Sequence, residues 1–216
     1  MSRETLFIAG GAGRIETVID RPAEALRETS HDAARDRIHD AARGVALIAH
    51  PHPLHGGTLD NKVVQTLAKT FVELGYVALR PNFRGVGASE GAYDEGNGET
   101  EDMLRVAAYA RESCGDLPLV LAGFSFGAFV QTRVAKRLQP QRMVLVGLAV
   151  GRFHAETVAA DTLVIHGELD QTVPLAGIFD WARPQELPIV VIPGADHFFH
   201  RRLHLIKSIV KSQWRS

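Results

Sequence analysis

The sequence predicts an α/β fold: a mostly parallel central sheet with helices on both faces and an antiparallel hairpin at its N-terminal edge. Three observations predict it. Short β-branched apolar runs alternate with amphipathic stretches of roughly 10 to 15 residues, the signature of right-handed βαβ crossovers. The run Val45-Ala46-Leu47-Ile48-Ala49 has no polar member, as a strand buried on both faces requires. Two extended segments near the start are split by Gly10-Gly11-Ala12-Gly13, a hairpin signal.

Taken in order, the hairpin strands are expected over 5–9 and 15–19, and the first inner strand over 45–49. Val63, Val64, Leu67, Ala68, Phe71 and Leu74 recur at helical spacing, which predicts a helix over 61–74 stopped by Gly75. A strand over 76–79 and a helix over 101–112 follow. Next come a strand over 117–122 and a helix over 126–138, ended near Pro140. Strands are expected over 143–148 and 162–166, a short helix over 175–181, a last strand over 189–192, and a closing helix over 200–214. Residues 20–44 stand apart. Asp32, Arg35, Asp36, Arg37, Asp40 and Arg43, interleaved with alanines, read as a charged surface insertion without assigned function.

With 216 residues, 45% hydrophobic and 23% charged, the chain is expected to form one domain over 1–216, which excludes disordered and fibrous classes. A net charge of -1 leaves no global field for nucleic acid or an anionic membrane. No apolar stretch approaches the roughly 18 residues of a membrane span, and the run from Leu6 to Ala9 is too short for a signal-peptide core. Cys114 is the single cysteine, which suits a reducing compartment. A cytoplasmic location is therefore expected.

Gly123-Phe124-Ser125-Phe126-Gly127 is a G-x-S-x-G directly after an expected strand and before an expected helix. A nucleophilic serine needs that tight turn, and the glycines remove side chains that would collide in it. A serine hydroxyl also needs a base and an acid that orients the base. Of the ten histidines, His197 follows a strand end on a loop opening at the same sheet edge as Ser125. Asp170, on the loop after the preceding strand, is the acid chosen, with Glu168 and Asp196 as alternatives.

The chain resembles the α/β-hydrolase family over nearly its whole length. More narrowly it resembles small lidless bacterial serine hydrolases carrying an H-P-H-P-x-x-G-G-T segment, here His50-Pro51-His52-Pro53-Leu54-His55-Gly56-Gly57-Thr58. The blocks Asn82-Phe83-Arg84-Gly85-Val86-Gly87 and Gly194-Ala195-Asp196-His197-Phe198-Phe199 support the match. The resemblance implies the α/β-hydrolase fold, the chain order Ser125, Asp170, His197, and hydrolysis of esters or thioesters. It implies little about the natural substrate.

An acyl-transfer site also needs two backbone donors for the oxyanion. Phe126, after the nucleophile, is expected to supply one. The other should come from the loop after 45–49, where Pro51 and Pro53 have no N–H. Leu54 is favoured there, with His55 as the alternative.

Other motifs carry less. His50, His52 and His55 lack neighbouring Cys, Asp or Glu to complete a metal set, so no metal and no cofactor are expected. Arg84-Gly85-Val86-Gly87 reads as a glycine-shaped turn with Arg84 tying loops together rather than a phosphate cradle. Phe124, Phe126, Phe129, Phe198 and Phe199 have two readings, walls of an acyl pocket or core packing. Only about a dozen residues separate the strands at 143–148 and 162–166, so no helical lid domain fits and the substrate expected is a short acyl ester or thioester. The partner expected is that small-molecule acyl substrate, with neither nucleic acid nor membrane; a homodimer is left open. Two other readings remain: a serine peptidase acting on short peptides or aminoacyl amides, for which Asp94, Glu95 or Glu99 would anchor an amino group, and a non-catalytic binding protein on the same fold.

Overall fold

The fold is described from a computed structural model that covers residues 2–23 and 42–214. Most of the charged insertion expected over 20–44 lies outside the described residues. Its ends belong to strands: Asp20 and Arg21 to one, Gly44 to the next.

The chain opens on β1 (Ser2–Gly10) and β2 (Gly13–Arg21), joined across the Gly10–Gly13 pair as an antiparallel hairpin. It then runs β3 (Gly44–Ala49), α1 (Lys62–Glu73), β4 (Tyr76–Pro81), α2 (Asn97–Cys114), β5 (Leu119–Phe124), α3 (Phe126–Leu138), β6 (Arg142–Val146) and β7 (Leu163–Gly167). Helix α4 (Leu175–Ala182), β8 (Ile189–Ile192) and α5 (Leu203–Gln213) complete it. The eight strands lie in the order β1-β2-β4-β3-β5-β6-β7-β8, parallel from β4 to β8, with β2 antiparallel to β4.

Alternation along the inner strands divides the core. Val45, Leu47, Ala49 and Leu121 face a cluster holding Met103 and Val106 of α2, Val130 of α3 and Ile178 of α4. Ala46, Ile48, Val120 and Ala122 face Val64 and Leu67 of α1 and Ile206 and Val210 of α5. Both faces of the sheet are therefore covered, which is why β3 reads as an unbroken apolar run.

Several boundaries differ from expectation, and three of the shifts have a clear local reason. Helix α2 begins at Asn97, not near 101, because the Glu99 carboxylate folds back to accept the amides of Asp94 and Gly96, each at 2.8 Å. Strand β5 runs two residues further, to Phe124, because it continues in register with β6 up to Phe124↔Val146. Helix α5 begins at Leu203, since Phe199 and Arg201 take φ of 54° and 60° in a tight turn.

Candidate active site

Ser125 is the one residue between β5 and α3, with φ 55° and ψ −119°. A side-chain-bearing residue in that region stores on the order of 1–3 kcal/mol and persists only where its surroundings hold it. Here the Ser125 amide donates to the Val146 carbonyl (2.9 Å), and the Ser125 carbonyl accepts from Phe129 (3.2 Å) and Ala149 (3.3 Å). The flanking glycines are close approaches. A Cβ on Gly123 would lie 2.6 Å from backbone atoms of Gly127 and Ala128, and one on Gly127 would strike the carbonyl oxygens of Ala49 and His50. Below the turn, buried Gln131 donates to the carbonyls of Leu47 (2.8 Å) and Ala122 (3.0 Å), stapling α3 to β3 and β5.

The loops after β7 and β8 meet this turn. His197 Nε2 lies 3.0 Å from Ser125 Oγ, and His197 Nδ1 lies 2.6 Å from Asp170 Oδ2. All three side chains are buried. With Nδ1–H donating to the carboxylate, Nε2 is left as acceptor for the serine proton. The other oxygen of Asp170 accepts the amides of Thr172 (2.9 Å) and Val173 (2.7 Å), so the carboxylate is fixed on both sides. The two alternative acids are engaged elsewhere. Glu168 accepts the Gly194 amide (2.7 Å), and Asp196 pairs with His200 Nδ1 (2.5 Å), a bond that holds its carboxyl below the ordinary range.

The oxyanion loop departs from expectation. Pro53 opens a 3-10 turn over Pro53–His55, which bends the following amides back onto His52. The Leu54 amide thereby donates to His52 Nδ1 (3.3 Å), and the His55 amide to the His52 carbonyl (3.1 Å). Both amides expected as the second donor, Leu54 and its alternative His55, are thus engaged within the turn. Between Pro51 and Gly57, the His52 amide donates to no acceptor among the described residues, while Gly56 closes the C-terminal end of the 3-10 turn. Gly56 is exposed, whereas His52 is buried with its ring 4.9 Å from that of Phe126. The sequence held a signal for this: His52 lies between two prolines and is the first residue there with an amide to offer.

The histidines of this segment divide by role. His50 Nδ1 donates to the Pro51 carbonyl (2.7 Å) while its Nε2 accepts the Phe83 amide (2.9 Å), and burial pushes its pKa down to about 4. This neutral ring ties the loop after β3 to the loop after β4. The His52 pKa is also lowered, by burial first and then by His55 and Arg152. A residue that sequence reasoning passed over is His166 on β7. Fully buried and kept below its ordinary pKa by that burial, it bonds the Val173 carbonyl through Nε2 at 2.8 Å, 3.5 Å from Asp170 Oδ2. It buttresses the turn that carries the acid.

The remaining candidates sort by burial. Phe124, Phe126, Phe129 and Phe199 are core residues, and Phe198 is exposed beside His197. Arg84 makes two bonds to Asp102 on α2 (2.8 and 2.9 Å), tying its loop to that helix. Of the three acids expected as amine anchors, Glu99 is buried and caps α2, Asp94 accepts the Gly98 amide (2.9 Å), and Glu95 is exposed at the edge of a cavity of about 500 Å³ that Tyr93 and Phe153 also line. Chemically, the row from Asp170 to Ser125 is able to move the serine proton onto an imidazole during attack on an acyl carbon.

Comparison with known proteins gives matches in sequence and in fold. Residues 49–153 match the family described as serine aminopeptidase, S33. The crystal structure of a Xanthomonas campestris member of the a/b serine hydrolases without a lid superposes with a TM-score of 0.86, at 32% identity over 99% of this chain and 94% of that one. An alpha-beta serine hydrolase homologue from Coxiella burnetii gives 0.85 at 34% identity, over 100% of this chain and 99% of its own. An uncharacterized protein of Rickettsia prowazekii is 31% identical over 170 residues, covering 72% of this chain and 71% of that protein.

Proposed function

Because the chain belongs to the α/β-hydrolase superfamily of serine hydrolases, we propose that it cleaves small carboxylic esters or thioesters through an acyl-enzyme formed on Ser125. The observation that carries this reading is the hydrogen-bonded row Asp170–His197–Ser125, at 2.6 and 3.0 Å, ending on a strained serine at a strand-to-helix turn. In the proposed mechanism His197 takes the Ser125 proton as Oγ attacks the acyl carbon. The amides of Phe126 and His52 receive the oxyanion. His197 then protonates the leaving group and activates water for deacylation, while Asp170 holds the imidazole in the required tautomer.

An aminopeptidase reading is supported by the description of the matching family and by Glu95, the acid that the loop's own hydrogen bonds leave available for a substrate ammonium. A fluorophosphonate probe tests the shared chemistry. The wild-type protein should label and Ser125→Ala should not; a wild-type protein that never labels and turns over no p-nitrophenyl ester refutes both readings. A panel of acyl-p-nitrophenyl esters, acyl-CoAs and aminoacyl amides then separates ester and thioester cleavage from amide cleavage.

A further inference from the structure

Among the described residues five large hydrophobic side chains stand exposed: Phe7, Leu54, Leu169, Phe179 and Phe198. Three of them lie on the loops that build the site. Leu54 (68% exposed) follows β3 on the oxyanion loop, Leu169 (59%) immediately precedes Asp170, and Phe198 (49%) immediately follows His197. Single exposed apolar residues are ordinary on protein surfaces; what sets these three apart is that each stands on a loop carrying a residue of the site.

Topology divides this collar into two sides. The strand order puts β3 on one side of β5, the strand that carries Ser125, and β7 and β8 on the other. Leu54 therefore stands on one flank, with Leu169 and Phe198 on the opposite one. The second flank is a connected unit: the Leu169 amide donates to the Ala195 carbonyl (2.9 Å), and the Phe198 ring sits edge-on to His197 (5.2 Å) and Phe124 (6.1 Å).

We propose that the collar sorts the two halves of an uncharged ester or thioester, with Leu169 and Phe198 holding the alcohol or thiol part and Leu54 the acyl part. The inference rests on the acyl-transfer reading above. In acylation the bond from Ser125 Oγ to the acyl carbon forms and the bond to the leaving oxygen or sulfur breaks. The proton that His197 Nε2 took from Ser125 passes to that leaving atom. The leaving atom must then lie within hydrogen-bond reach of Nε2, so its substituent emerges along the flank of His197, against Phe198. With the leaving group on the His197 flank and the oxyanion bound by the amides of Phe126 and His52, the proposal assigns the acyl chain to the remaining flank, where Leu54 stands. The substrate class that fits carries alkyl or aryl groups on both sides and no charge.

Two substrate series test this. Across acetate esters from ethyl to hexyl, kcat/KM of the wild-type enzyme should rise about twofold per methylene, the gain expected from partial burial. With deacylation limiting, the gain should appear as a falling KM at constant kcat, because every acetate passes through the same acyl-enzyme. Replacing both Leu169→Ser and Phe198→Ser should flatten the alcohol series while an ethyl ester series of lengthening acyl chains keeps its slope, and Leu54→Ser should do the reverse. Phe7→Ser and Phe179→Ser, away from the site, should retain both slopes. A flat alcohol series in the wild-type enzyme, or a slope that survives the double substitution, overturns the collar while leaving acyl transfer intact. Failure to turn over any ester, with no labelling by the fluorophosphonate probe, removes the acyl-transfer reading and the collar together; labelling without ester turnover removes the collar alone.

Discussion

At the scale of single residues, the site shows which chemistry side-chain identity announces and which it conceals. Ser125 and His197 announce themselves, because a serine between G-x and x-G and a histidine after a strand end leave few other placements. Asp170 was separable from Glu168 and Asp196 only through geometry: the Gly194 amide occupies Glu168 and His200 occupies Asp196. The second oxyanion donor proposed above was hidden because it belongs to a backbone amide, and the direction of an amide depends on the turn that follows. Once Pro53 opens its 3-10 turn, Leu54 donates back to His52 and the His52 amide is left over. His52→Pro removes that donor and should lower kcat by roughly 10²–10³, the effect of losing one oxyanion bond. Leu54→Pro leaves that donor in place, removing the bond to His52 Nδ1 and the exposed Leu54 side chain, and with an acetyl ester its loss in kcat should be at least about tenfold smaller. Steady-state kinetics on one ester, with circular dichroism to confirm folding, decides the matter; the opposite order of losses returns the donor to Leu54.

At the scale of elements, helices and strands were legible wherever apolar spacing alone defined them. Helix α3, from Phe126 to Leu138, and strand β8, from Ile189 to Ile192, have the expected bounds. Boundaries moved where a polar side chain or a turn intervened, as with Glu99 at the start of α2. Links between elements were the least legible, because they depend on pairs distant in sequence such as His50 with Phe83. That link makes stability depend on pH. His50 bridges the Pro51 carbonyl and the Phe83 amide only as a neutral ring, and burial lowers its pKa from 6.5 to about 4. Below about pH 6.5 the unfolded chain takes up the proton before the folded chain does. Stability is therefore complete above that pH, declines as pH falls from 6.5, and has lost this contribution by about pH 4, on the order of 3 kcal/mol. Burial lowers the His166 pKa too, which acts in the same direction. Urea unfolding from pH 7.5 to 4 measures the decline. His50→Gln should be less stable at pH 7.5 and show a shallower decline; equal slopes in the two proteins would remove His50 as the cause.

At the scale of the whole molecule, what the fold leaves uncovered bears most directly on substrate. The link from Val146 to Leu163 contains no helix, so nothing from that segment forms a cap over the loops after β5, β7 and β8. Among the described residues, that link supplies neither a closed state for an interface to open nor a tunnel to enclose a long chain. Two consequences can be measured together. With a partly soluble ester such as tributyrin, rate should follow a single saturation curve through the solubility limit, with no jump when droplets appear. Along an acyl series, kcat/KM should stop rising once the chain outgrows the apolar rim at Leu54 and should fall beyond medium length. An abrupt activation at the emulsion boundary, or a steady preference for long acyl chains, would mean that some other segment covers the site, and the inference from the bare β6–β7 link to short substrates would fail.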